Sequence, residues 1–365
     1  MSHASQAGRS WGIPWALISP LLAVAAALGV GAGLIVMAKS NPLVAYTALF
    51  RDSLLSYYGF ANTLTRMAPL LLAGLSVAVA LRARQFNIGG EGQIYVGGLG
   101  SALVGLSLSG WPGWIHMPLA LLGGFVAGSL WGLLPGYCKA YLGVNEVITT
   151  LLLNYIAQYL VSYMVTGPLI EPGAPMPYSP LVADTARLPI FLPQTQAHGG
   201  IFLGLALVVG LAILLQRTPL GYQIEAVGLN PIAAYFAGIP VKRIIVLVMV
   251  LAGGLAGLAG SCEVLGGKAR LFENFSPGYG FDGVAIAFLS RGNLWGVGLT
   301  SLFFAALRSG ANAMQRSAGV PVTVVYAIQG LTVLFIAINL ALEHLGRTRI
   351  KPMPPSAKAE IEVQV

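Results

Sequence analysis

The sequence predicts an all-α integral membrane protein with about ten transmembrane segments, and three observations carry that prediction. Of 365 residues, 56% are hydrophobic and only 9% charged, with a mean hydropathy of +0.78. That balance lies well outside the range of soluble domains. Apolar runs of about 20 residues, enough to cross roughly 30 Å of hydrocarbon, recur along the chain. Basic residues gather between alternate runs, at Arg82 and Arg84, Lys139, Arg217 with Lys242 and Arg243, and Arg347, Arg349 and Lys351. This is the pattern of loops kept on the inner side of a membrane.

Composition also excludes other classes. The net charge of +8 is spread over loops with no basic patch, so a nucleic-acid partner is not expected. Two cysteines cannot build a disulfide framework or a cysteine metal site. His3, His116, His198 and His344 are scattered, with no HExxH pair. No GxxxxGK[ST] phosphate loop occurs, the nearest approach being Gly266-Gly267-Lys268-Ala269. No cofactor or metal is therefore expected in this chain.

Residues 1–10 are polar and are expected to form a cytoplasmic N-terminus, followed by a transmembrane domain over 11–346 and a cytoplasmic tail over 347–365. The first run, Trp11 to Ala38, is too long for the core of a cleaved signal. Asn41 to Phe60 reads as an outer segment, partly an amphipathic surface helix. The second span, Thr63 to Leu81, ends at Arg82 and Arg84. Phe86 to Gln93 is then a glycine-rich polar break, as in helices interrupted at membrane depth where backbone lines a cavity or packs on protein. Asn87 and Glu91 in this break are candidates for a substrate path, because a charge at such depth is costly. The alternative is that they brace the break. A third span ends near Leu108.

The fourth span, Met117 to Tyr137, carries Gly124, Gly128, Gly132 and Gly136 at four-residue spacing, a face that admits close approach of another helix. The fifth, Val144 to Thr166, carries Glu146, Thr150, Asn154, Gln158, Ser162 and Thr166, also every fourth residue. Four residues advance ~40° beyond a full turn, so this polar line winds slowly around the helix. Glu146, Thr150, Asn154 and Gln158 are candidates to face a water-filled path, with hydrogen bonding between helices as the alternative. Residues 167–199 form a proline-rich external loop, expected to be extended and without regular helix. A sixth span covers Gly200 to Leu215.

Residues 217–243 form an inner loop around a short amphipathic helix. Asn230 is a good N-cap, Pro231 suits the first helical position, and Gly238 is placed to end the helix. Ile232, Tyr235, Phe236 and Ile239 share one apolar face by spacing. At 1.5 Å per residue the helix is only ~12 Å long and cannot span a bilayer. An exposed apolar stripe on so short a helix suits a partner's groove or the lipid surface.

A seventh span, Ile244 to Gly260, holds Gly253 and Gly257 in a GxxxG pattern, and residues 261–280 are expected outside. Phe281 to Asn293 reads as a short or broken helix carrying Asp282. Spans from Leu294 to Leu307 and Val322 to Leu342 follow, placing both termini inside. The paired interruptions at 86–93 and 281–293 suggest an inverted repeat around a midplane site.

Four stretches carry a resemblance: FNIGGEGQ (86–93), GVNEVITTLLLNYIA (143–157), AVGLNPIAAYFAGI (226–239) and FDGVAIAFLSRGN (281–293). They resemble permease subunits of bacterial ABC importers for branched-chain amino acids, simple sugars and nucleosides, nearest the nucleoside (guanosine-type) branch. The chain differs at Gly90 and Ser290, where that family commonly carries other residues. The resemblance implies a non-enzymatic transport subunit in the bacterial inner membrane, with Asn230, Pro231, Ile232, Tyr235, Phe236, Gly238 and Ile239 as the coupling helix. It implies a cytoplasmic ABC ATPase that holds the ATP and Mg, a second homologous permease in a heterodimer, and an external substrate-binding protein. A simple-sugar permease is the alternative within the family. A stand-alone secondary transporter or channel, with Glu91, Glu146 and Asp282 as coupling-ion carboxylates, is the rival outside it.

Overall fold

The computed structural model describes residues 15–348 apart from Ser109; residues 1–10 and most of the expected tail lie outside that range. Thirteen α-helices carry the described chain, which has no β-strand. They are α1 (Trp15–Met37), α2 (Pro42–Leu55), α3 (Tyr57–Arg82), α4 (Gly90–Ser107), α5 (Gly113–Leu142), α6 (Glu146–Thr166), α7 (Gly200–Arg217), α8 (Pro219–Leu229), α9 (Pro231–Phe236), α10 (Val241–Cys262), α11 (Tyr279–Leu289), α12 (Leu294–Ala318) and α13 (Thr323–Thr348).

Six of these helices are long and apolar enough to cross a membrane: α1, α3, α5, α6, α7 and α10. The expected count of about ten is therefore met by six on length and apolarity. The shortfall has a physical source: α11 is short, and the apolar part described in α13 runs only Thr323–Asn339. In α4 and α12 polar residues are buried against other helices, as with Glu91, Gln93 and Arg308, so membrane depth costs them apolarity.

Local chemistry sets many of the helix starts. Asn41, Asn145, Asn230 and Asn293 each accept backbone N–H groups with their side chains at the first turn of a helix. Proline follows the cap in α2, α8 and α9, where its missing N–H costs nothing. The amphipathic reading of 41–60 corresponds to α2, which buries Ala45, Leu49 and Ser53 on one face.

Some boundaries differ from the sequence reading. α12 continues eleven residues past Leu307 to Ala318, because its outer part is buried on α2 and α3 rather than in lipid. Past Cys262 the helix also continues, as a wide π turn over Glu263–Lys268, beyond the end at Gly260 expected for the seventh span. Loop 167–199 contains only a short 3-10 turn, Asp184–Ala186. It is pinned to the chain after the π turn by Ser179 N–H to Leu271 O (2.8 Å) and Val182 N–H to Ala269 O (2.9 Å).

The tightest packing joins α5, α10 and α4. A Cβ on Gly128 would strike the Gly253 carbonyl, one on Gly257 the Gly124 carbonyl, and one on Gly97 the Gly257 backbone. The glycine lines read in two separate spans thus form the two sides of one seam, and α4 adds a third.

Cys138 and Cys262 are both free. Cys262 is fully buried, so a bulky thiol reagent should not reach it from either side. Membrane-impermeant maleimide applied on the loop face is expected to label neither cysteine, and applied on the opposite face to label Cys138 alone. Rapid labelling of Cys262 in the folded protein would contradict this packing.

Candidate transport site

Two interrupted helices meet inside the bundle. After α3 the chain turns back on itself, and Asn87 and Gln93 close the break as a reciprocal amide pair, Asn87 Nδ2 to Gln93 Oε1 at 2.8 Å and Gln93 Nε2 to Asn87 Oδ1 at 3.1 Å. Asn87 also donates to Ser76 Oγ of α3 at 3.4 Å, about one and a half turns in from Arg82. α4 therefore begins at depth. Its other end lies beside the proline-rich loop, where Gly105 O accepts from Ala183 N–H. α11 also begins at depth and runs the opposite way, towards the Arg82 face, where Arg82 Nη2 donates to Gly292 O (3.3 Å). The two N-termini abut so closely that a Cβ on Gly280 would strike the Glu91 backbone.

Each of these N-termini lacks a side-chain cap from its own sequence, the N-cap positions being Gly89 and Gly278. The donors are satisfied from other helices instead. Asn154 of α6 accepts Gly92 N–H at 2.8 Å and donates to Ile88 O at 2.9 Å, gripping the α4 break on both sides. Glu91 of α4 accepts Gly280 N–H of α11 at 2.7 Å. Two helix N-termini present their positive ends to this side chain. Capping thus passes from α6 to α4 to α11.

The polar line of α6 divides along its length. Glu146, Thr150 and Asn154 are buried. Glu146 pairs with Lys139 of α5 at 2.7 Å, and Thr150 packs where a Cβ on Gly89 would sit. From there the buried face continues through Ala157, Val161 and Val165, while the polar line, drifting ~40° per step, leaves it. Gln158 and Ser162 are half-buried and Thr166 exposed. Gln158 borders a face of Tyr155, Tyr159 and Tyr163, exposed by 55%, 74% and 64%. The tyrosines were missed in the sequence reading; their four-residue spacing was the available signal.

Asp282 is further along α11 and lies 2.7 Å from Arg308 Nε of α12. Of the proposed path residues, Asn87, Glu91 and Asn154 come together with Thr150 close by, whereas Glu146 and Gln158 lie on other turns of α6.

Loop 217–243 projects from the end of the bundle that carries Arg82, where a Cβ on Gly228 would strike Arg82 O. Asn230 Oδ1 accepts from Ile232 N–H (3.0 Å) and Ala233 N–H (3.1 Å) to start α9. The helix ends on Gly238 at φ +81°, with Gly238 N–H to Tyr235 O (2.9 Å) and Ile239 N–H to Ala234 O (3.0 Å). These are the two bonds of a Schellman ending, which packs the residue after the glycine back on the helix. Ile239 is accordingly buried with Ala234, so it does not share the exposed face expected for it. Ile232, Tyr235 and Phe236 do, exposed by 70%, 69% and 82%. They line a groove of about 990 Å³ together with Tyr141, Lys242 and Arg243.

Residues 59–337 match the protein family described as the permease component of the branched-chain amino acid transport system. The chain belongs to this permease family. Its relatives include the glucose ABC transporter permease protein TsgB13 of Haloferax volcanii, 37% identical over 87% of this chain and 86% of that protein. The guanosine ABC transporter permease protein NupP of Bacillus subtilis is 35% identical over 92% and 97%. The nucleoside ABC transporter permease protein NupB of Lactococcus lactis is 33% identical over 94% of each chain.

As an ABC permease the chain is a multi-pass membrane protein and a transport subunit, a class that works with an ATPase and a substrate-binding protein. A titrating group of note lies in the proline-rich loop 167–199. His198 Nδ1 accepts Gly200 N–H at 3.2 Å, so its ring is neutral, and burial pulls the imidazole down to about 4. Because the folded value lies below the ordinary ~6.5, the unfolded loop takes up the proton first. The loop's stability is expected to fall as pH drops from about 6.5 to 4, by up to about 3 kcal/mol, and to level off below that. Hydrogen exchange of residues 188–199 at pH 7.5 and 5.0 checks this. His198→Gln should flatten the dependence, and an unchanged slope in that variant would assign it to another group.

Proposed function

We propose that this permease forms the translocation path of an importer for a nucleoside or a related neutral, polar, ring-bearing solute. The observation that carries the reading is the exposed Tyr155, Tyr159 and Tyr163 face of α6 with Gln158 at its edge. Tyrosine hydroxyls and an amide facing hydrocarbon would go unsatisfied, so this face suits a wet path shared with a second permease. Aromatic rings offer stacking surface to a planar base, and a neutral amide can donate and accept without charging the path. The names of the guanosine and nucleoside relatives favour the same reading. The glucose relative keeps a simple sugar as the second reading.

In this proposal the chain has ten membrane segments, α1, α3, α4, α5, α6, α7, α10, α11, α12 and α13, with α4 and α11 starting at depth and each completed by the broken stretch before it. The opposite directions of α4 and α11 from one meeting point support an inverted repeat. α9 couples to a cytoplasmic ATPase, which binds the ATP and Mg and hydrolyses the ATP, and this chain needs no cofactor. The inner face carries Arg82, Arg217, Lys242 and Arg243, which supports a bacterial inner-membrane orientation with cytoplasmic termini. The second permease is proposed as a homologous, non-identical chain.

Uptake into proteoliposomes holding the complete complex, competed by guanosine, adenosine, glucose and leucine, tests the substrate. Inhibition by glucose alone would move the protein to the sugar reading. Gln158→Leu and Tyr159→Ala are expected to lower the transport rate severalfold with the complex intact. Asn154→Leu differs, because it strands Gly92 N–H and Ile88 O, at about 1–3 kcal/mol each. It should lower the thermal midpoint of the purified permease, while Gln158→Leu should not. Equal midpoints in the two variants would refute the division of α6 into bracing and path-facing parts.

A further inference from the structure

The stretch Pro277–Asp282, which forms the entry and first turn of α11, is held by two buried side chains from other helices. From α4, Glu91 is only 1% exposed and takes Gly280 N–H. From α12, Arg308 is 7% exposed; its Nη2 donates to Pro277 O at 3.1 Å and its Nε stands 2.7 Å from Asp282. The Arg308 guanidinium also lies 5.2 Å from the ring centre of Tyr279 on α11 and 5.5 Å from that of Tyr326 on α13. Its Nη1 has no hydrogen-bond acceptor.

Arg308 sits fourteen residues into α12, about 21 Å from its first residue. A cation at that depth is expensive to keep unless it does something a leucine could not. Three features distinguish its arrangement from simple packing. Apart from Tyr326, the contacts fall on four residues of one six-residue stretch, Pro277, Tyr279, Gly280 and Asp282. They reach that segment through backbone as well as side chain. The grip is incomplete, with one guanidinium nitrogen left over.

We propose that Arg308 and Glu91 are positioning residues that form a latch on Pro277–Asp282, holding α11 in register with α4 and α12 so that movement of α11 follows ATP-driven movement of the bundle. Neither residue needs to touch the solute. The latch depends on the chain being an ABC permease and not on which solute it carries.

The test uses the complete complex in proteoliposomes with its ATPase and binding protein, and the variants Arg308→Lys, Arg308→Gln, Asp282→Asn and Arg308→Gln/Asp282→Asn. ATP hydrolysis stimulated by the binding protein is measured in every case, and uptake of guanosine or glucose gives maximal rate, KM and ATP consumed per solute. Arg308→Gln should assemble normally, yet lose at least tenfold in maximal uptake with KM within twofold. ATP consumed per solute should rise at least threefold. The double variant should recover at least threefold over Arg308→Gln, because the uncompensated Asp282 charge is gone, and Arg308→Lys should fall between. Wild-type rates in Arg308→Gln would overturn the latch. So would loss of assembled complex alike in all three Arg308 variants, or an ATP-to-solute ratio that never leaves the wild-type value. If the wild-type complex moves neither solute, the substrate reading fails alone. The latch is then read from binding-protein-stimulated hydrolysis, which should lose its stimulation in Arg308→Gln and keep it in Arg308→Lys; stimulation preserved in both would overturn it.

Discussion

Tyr235→Asp and Phe236→Asp are each expected to lower ATP-dependent uptake more than tenfold while leaving the permease folded and in the membrane. Both side chains are largely exposed on α9, so the free subunit loses little by the change. The loss appears only when the rings enter an apolar groove of the proposed ATPase, where an unpaired carboxylate costs at least about 2 kcal/mol. That is more than a tenfold loss of docking. Ile239→Asp is the informative contrast. Ile239 is buried under the Schellman turn, so this variant should lower the permease's own thermal midpoint. Co-purification of the ATPase with detergent-solubilised permease, beside uptake, separates the cases. Normal association and uptake in both Tyr235→Asp and Phe236→Asp would remove the coupling role from α9.

Gly128→Leu and Gly253→Leu are expected to abolish the folded permease. At this crossing an added Cβ meets the facing carbonyl and not a movable side chain. Overpacking a core costs about 1–3 kcal/mol where side chains can shift; here two helices must separate, and the loss exceeds that. Gly210→Leu is the control, since a Cβ on Gly210 of α7 meets nothing within 4 Å. Yield and a monodisperse profile after purification measure the outcome. Recovery of Gly253→Leu at the level of Gly210→Leu would mean that α5 and α10 do not cross at these glycines.

Sequence patterns made loop 217–243 legible because its signals are local. Asn230, Pro231 and Gly238 act within three residues of themselves, so cap, start and stop can be read from adjacency. The same holds for the apolar runs behind the six clear spans and for the glycine spacing on α5 and α10. Composition excluded a soluble protein for a reason equally independent of fold, since a chain with 9% charged residues cannot cover a globular surface in polar groups.

What the tertiary structure decided is where polar groups at depth find partners. Asn154 was legible as one member of a polar line, but its two hydrogen bonds run to Gly92 N–H and Ile88 O, more than sixty residues away. Glu91 and Gly280 lie 189 positions apart, and no spacing rule connects a carboxylate with the N–H it caps on another helix. Periodicity also placed Ile239 on the exposed face of α9, and the left-handed Gly238 turned it inward. The sequence by itself determined that this is a helical membrane protein with a short amphipathic helix in a loop flanked by basic residues, because membrane length, positive loops and helix caps are short-range constraints. Only the fold decided that α4 and α11 meet end to end and are capped by α6 and α4, because a buried N–H must be satisfied by whatever the packing brings within about 3 Å.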